Sequence, residues 1–145
     1  EATKMGTALM KEHGLIRDGW RGKWDESLTR AGSCHYNEKV IYLSAPWVKS
    51  ASEEDTRQTI LHEIAHALAG YSAAHGPIWK ATAAKIGYTG KRTISSQPDL
   101  SLYKYRGTCS GCGYECGRQR NTKAMKQGQF ICGLCKAKIN WRAQW

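Results

Sequence analysis

TILHEIAHALAGYSAAHGPIW, residues 59–79, is the stretch from which the rest of the chain can be read. His62 and His66 are four positions apart, so on a helix both imidazoles lie on one face and can reach a single metal ion, with Glu63 beside them. The helix itself is well marked. Ser52 can cap its start, Glu53, Glu54 and Asp55 lie against the positive end of the helix dipole, and Ile60, Leu61, Ile64, Ala65 and Leu68 form a buried stripe running to about Ala69. Gly70 is a natural stop. A zinc ion with three protein ligands and one open position lowers the pKa of its water to about 7. Glu63 can then take the proton and return it to a leaving amine.

The third ligand sets the subclass. Metzincin spacing would put the histidine at position 72 and a glycine at 69, but these are Ser72 and Ala69. A glutamate on a later helix is the gluzincin solution, yet no Asp or Glu occurs between Glu63 and Asp99. That absence favours His75, which stands after a short return, just before a helix that Pro77 opens. A chance HExxH with its histidines serving only as core residues is the competing explanation. The capped helix, the stop at Gly70 and the distance back to His75 weigh against it.

Upstream, residues 3–16 read as an amphipathic helix closed by Gly14. Trp24 to Ala31 and Val40 to Leu43 read as strands, with Asn37-Glu38-Lys39 as a turn, giving a short antiparallel hairpin or a three-stranded sheet. Downstream, the helix from Pro77 passes through Trp79 and Ile86 to Gly87. Cys34 and His35 on the hairpin are either a redox or metal pair or, with more weight, strand packing. Tyr71 is either a donor to a developing oxyanion or a packing aromatic.

The six cysteines are unevenly placed. Cys109 and Cys112, then Cys132 and Cys135, form two pairs with two residues inside each and 19 residues between the pairs, the spacing of a tetrahedral thiolate zinc site. Metal ligation suits them better than disulfides in a reducing compartment. The chain is thus expected to be α+β, with a main domain at residues 1–90, a linker at 91–102 and a zinc ribbon at 103–145. Its 41% apolar residues suffice for a core, and no run approaches the ~20 residues of a membrane span. With no secretory signal at the N-terminus, the expected location is cytoplasmic, either nucleoid-associated or in a phage host.

Charge is equally uneven. Residues 1–90 carry 11 Lys/Arg against 10 Asp/Glu, a balance of +1, whereas residues 91–145 carry 11 against 2, a balance of +9. A field of one sign confined to one module fits phosphate contacts, whereas a membrane surface would be better served by an amphipathic basic helix. The candidate nucleic-acid contacts are Lys104, Arg106, Arg118, Arg120, Lys123 and Lys126, with Lys136, Lys138 and Arg142 after them. Tyr103, Tyr105, Tyr114, Phe130 and Trp141 are interleaved with these cations, where unpaired bases could stack, Tyr105 and Trp141 being the leading pair. The alternative is that the rings are only the ribbon's core.

These residues resemble the SprT-like/Spartan metallopeptidases. The similarity runs through Trp24 to Val48 (WDESLTRAGSCHYNEKVIYLSAPWV), Thr59 to Leu68 (TILHEIAHAL), His75 to Trp79 (HGPIW), Lys85 to Gly87 and the ribbon from Tyr103 to Ile139. It implies a minimal zincin fold, with helices packed on a small antiparallel sheet beside a zinc-binding subdomain. It also implies DNA-dependent proteolysis of proteins bound or crosslinked to DNA, with His62, His66 and His75 as ligands of a catalytic zinc, Glu63 as the catalytic acid and a second, structural zinc. Cys116 departs from the pattern and leaves open a permuted ligand set among Cys109, Cys112 and Cys116. An ending at Trp145, without a long tail of partner-binding motifs, implies a bacterial or phage-type member. Two rival functions remain: a DNA-binding module with a purely structural zinc, and a regulatory peptidase that cuts one partner independently of DNA.

Overall fold

The computed structural model describes residues 2–90 and 97–145, which fall into two compact units, Glu1–Ser96 and Gln97–Trp145. The first unit runs α1 (Ala2–Glu12), β1 (Arg21–Asp25), β2 (Gly32–His35), β3 (Val40–Ser44), α2 (Ala45–Ser50), α3 (Glu53–Ala69), a 3-10 turn (Tyr71–Ala73) and α4 (Pro77–Lys85). The second runs from a 3-10 turn (Leu100–Leu102) through β4 (Tyr105–Cys109), β5 (Glu115–Arg118) and α5 (Lys123–Lys126) to β6 (Ile139–Ala143). Among the described residues the architecture is α+β, with two small sheets and five helices. Among the described residues, no helix is long and apolar enough to cross a membrane.

The first sheet is three-stranded and mixed, with strand order β1-β3-β2, which corrects the small antiparallel sheet that the resemblance implied. β2 and β3 form the antiparallel hairpin, closed by the 36–39 turn in which Lys39 has φ 56°. β1 pairs in parallel with the other edge of β3, Trp24 opposite Leu43. The apolar content of the strands explains this order. β3 (VIYLS) is buried at four of its five positions and takes the centre, while the exposed β1 (RGKWD) takes an edge. The expected strand over Trp24 to Ala31 is shorter and earlier, because Ser27 and its neighbours form a turn held by the Asp25 carboxylate and the Ser27 hydroxyl. The helix expected over residues 3–16 stops at Glu12, and residues 13–19 form turns.

α3 matches its sequence signals. Ser52 Oγ accepts from Asp55 N at 3.1 Å, three acidic residues occupy the first turn, and Gly70 at φ 91° ends the helix with its N–H on His66 O at 2.9 Å. Ile60, Leu61 and Ile64 join Leu9, Met10, Leu15, Trp20, Ile41 and Leu43 in the core. Leu68, by contrast, is 40% exposed, so the stripe ends one turn earlier than expected. α4 starts at Pro77 and ends at Lys85, short of the expected Gly87.

In the ribbon the strand order is β5-β4-β6, all antiparallel. Residues 91–96 of the expected linker lie outside the described residues. Residues 97–102 pack within the ribbon: Gln97 Nε2 donates to Gly117 O at 2.9 Å, and Gln144 Nε2 to Leu100 O at 2.8 Å.

Leu61 is completely enclosed. Leu61→Ala is expected to cost about 2–5 kcal/mol, read as a lower urea midpoint at unchanged slope. An unchanged midpoint would contradict the assignment of this stripe to the core.

Candidate metal centres

One turn of α3 separates His62 from His66, and the Tyr71–Ala73 turn brings His75 back to them before α4 begins. The three Nε2 atoms stand 3.2 Å (His62–His66), 3.0 Å (His66–His75) and 3.3 Å (His62–His75) apart. Each Nε2 has a single in-plane direction, occupied by a proton or a lone pair, so three of them facing one point cannot all be joined by hydrogen bonds. One cation satisfies all three. Nitrogens bound to zinc at 2.0–2.1 Å with tetrahedral angles lie about 3.3 Å apart, so the donor set fits that ion. Burial, and then the neighbouring His75, hold His66 below the usual histidine range, which favours the neutral form that a metal needs. His75 is exposed, and among the described residues no fourth donor joins the cluster.

Glu63 points to the same centre. It is 7% exposed, with Oε1 3.9 Å from His62 Nε2. Gly32 of β2 lets the sheet come this close to α3: a Cβ there would stand 3.2 Å from Glu63 Cγ and 3.1 Å from Tyr42 O. Sequence reasoning missed Gly32, although a glycine inside a strand is a known sign of close approach.

The wall beside Glu63 is made of neutral groups. Burial, followed by the negative Glu63, pushes the Cys34 thiol up to about 12, and burial, followed by Cys34, pushes Tyr36 up to about 12. Cys34 is therefore a protonated packing residue, and His35 is taken up by Ser33 Oγ at 3.1 Å and by the Tyr42 ring. Tyr71 is 80% exposed, with its ring edge-on to Tyr36 at 5.6 Å.

In the ribbon, Cys109, Cys112, Cys132 and Cys135 converge within 4.8 Å of one another. Cys109 Sγ lies 3.3 Å from Cys135 Sγ, and Cys112 Sγ lies 3.7 Å from Cys132 Sγ, near the roughly 3.8 Å that tetrahedral Zn–S bonds of about 2.3 Å require. Backbone N–H groups support the sulfurs, from Gly111 and Cys112 to Cys109 and from Leu134 to Cys132. The Cys112 N–H, opposed by burial and joined by the Gly111 N–H, brings the Cys109 thiol down to about 6, toward the ionised form of a metal ligand. Both groups are consistent with zinc. Cys116 stands on β5 opposite Gly107 and is not among the four converging sulfurs.

The candidate nucleic-acid residues do not form one patch. Strand register places Tyr105, Arg118 and Trp141 on one face of the ribbon sheet, with Phe130 against Trp141 at 5.5 Å and under the Arg118 guanidinium at 4.9 Å. Arg106 and Arg142 are on the opposite face, where Arg106 is paired with Glu115 at 3.3 Å. Lys104, Arg120, Lys123 and Lys126 are exposed, and Lys104 Nζ lies 5.7 Å from the Tyr105 ring. Tyr103, 1% exposed, covers Gly117 and belongs to the core, a correction to its reading as a stacking ring.

The model of the SprT-like family matches residues 8–99. Two curated relatives, each named Protein SprT, come from Pseudomonas savastanoi pv. phaseolicola (strain 1448A / Race 6) and Pseudomonas syringae pv. syringae (strain B728a). Each is 25% identical to this chain over 121 residues, covering 74% of this chain and 71% of the relative.

Metal analysis of the purified protein is expected to give two zinc ions per chain. His66→Ala should keep the ribbon ion alone, and Cys132→Ser the histidine ion alone. Equal stoichiometry in all three proteins would contradict the two-centre assignment.

Proposed function

The chain belongs to the SprT-like family, and from this we propose that it is a zinc metallopeptidase that cuts proteins held on DNA, its ribbon providing the hold. The observation that carries the reading is the convergence of the His62, His66 and His75 Nε2 atoms within 3.3 Å of one another beside the Glu63 carboxylate. A zinc ion bound there supplies a Lewis acid that makes water ionise near neutral pH and polarises a carbonyl.

The protein's own groups supply the rest. Glu63 accepts the proton of the attacking water and hands it to the departing amine, so one carboxylate acts first as base and then as acid. Its burial beside Gly32 holds it in place for both steps. The exposed edge at His75 leaves room for a polypeptide to reach the centre.

Charge supports the DNA part of the reading, since residues 91–145 carry 11 Lys/Arg and 2 Asp/Glu. Lys104, Arg118, Arg120, Lys123 and Lys126 are exposed, so they are available to phosphates, and the Tyr105–Trp141 face offers rings for unpaired bases. A ribbon bound to the strand would raise the local concentration of any protein attached nearby, and proximity would stand in for sequence specificity.

Glu63→Gln is expected to keep both metal ions and to lower cleavage of a DNA-bound protein by at least about a hundredfold. A fully active variant would contradict the assigned role. Run with and without single-stranded DNA and with a chelator, the same assay should show cleavage only with DNA and metal. Cleavage indifferent to DNA would favour a regulatory peptidase, and DNA binding without cleavage a structural zinc protein.

Affinity for single-stranded DNA is expected to fall steeply with salt. Four phosphate contacts give a log–log slope of about −2.8, or roughly fiftyfold between about 50 and 200 mM. A flat salt dependence would remove the electrostatic account.

A further inference from the structure

We propose that Trp79, backed by Tyr88, is a positioning residue that holds the three imidazoles in metal-binding orientation. The inference rests on the reading of that centre as a zinc site. Trp79 is 6% exposed on α4, and its ring touches all three histidines, with centroids 4.8 Å from His62, 5.2 Å from His66 and 4.9 Å from His75. His62 and His66 come from α3 and His75 from the loop before α4, so this one indole packs against ligands from both sources.

The ring works through its surface. Its Nε1–H is buried and makes no hydrogen bond among the described residues, so packing alone holds it and an apolar ring of similar size should replace it. Tyr88 closes the next side, edge-on to His62 at 5.4 Å and to Trp79 at 5.7 Å.

Tyr88 is itself clamped. Buried Gln58 stands one turn before His62 on α3, and its Oε1 accepts from Thr89 N at 2.8 Å and Thr89 Oγ1 at 3.2 Å. Its Nε2 donates to Gly87 O at 3.5 Å and to Glu54 Oε1 at 3.0 Å. Both residues flanking Tyr88 are thus gripped by the helix that carries two of the ligands. Supporting groups around metal ligands typically change affinity by about 10–100-fold when removed. Here a packed aromatic pair does the work more often done by a hydrogen bond.

The test uses the full chain, with the ribbon's zinc left in place and the histidine centre titrated with zinc under chelator competition, then with Co2+ for its d–d spectrum. Circular dichroism and urea midpoints of the metal-stripped centre report the fold. Trp79→Ala is expected to weaken zinc binding at this centre by about 10–100-fold and to alter the Co2+ spectrum, while Trp79→Phe stays within about threefold of wild type. If Trp79→Ala does not fold, Tyr88→Leu carries the test and should lose affinity by about tenfold. Wild-type affinity and an unchanged Co2+ spectrum in the folded variant would overturn the proposal. A wild-type protein that takes no metal at the histidine centre would instead overturn the reading on which it rests.

Discussion

Three ring nitrogens held 3.0–3.3 Å apart around one point are a costly arrangement unless something positive lies between them. The neighbouring elements are arranged to bring them together. Four-residue spacing on α3 aligns two of the nitrogens. Gly70 at φ 91° ends the helix at the place where the chain must turn, and Pro77 starts the next helix at once, so the third imidazole returns within nine residues of the second. Gly32 removes the side chain that would keep the sheet away from Glu63. The buried face of α3 ties this local geometry to the main core through Ile60, Leu61 and Ile64.

Much of this was legible in the sequence, because the signals were local. A capped amphipathic helix, a glycine stop and two cysteine pairs declare themselves by spacing alone, and HEIAH with HGPIW carried the family resemblance. Pairing direction in the first sheet was not legible. Apolar alternation marks a strand but not its neighbour, and β3 takes the centre only because both of its faces are buried. α2, six residues containing Pro46, is too short to show periodicity. Gly32, Gln58, Trp79 and Tyr88 escaped notice at the site because each acts on a residue distant in the chain or on another element.

The ribbon illustrates a different limit. A module of this size buries little apolar surface, so a bound metal is expected to supply much of its stability. Composition puts the positive charge in this part of the chain, yet only strand register separates Arg118, Tyr105 and Trp141 from Arg106 and Arg142 across the sheet. One face therefore carries the Arg118 guanidinium over the Phe130 ring, whereas the other carries Arg106, paired with Glu115, and Arg142.

Anomalous diffraction at the zinc edge tests the central claim most directly. The account predicts a peak about 2.0–2.1 Å from Nε2 of His62, His66 and His75, with no fourth protein atom in its coordination sphere. A peak that excludes His75, or one capped by another side chain, would contradict it.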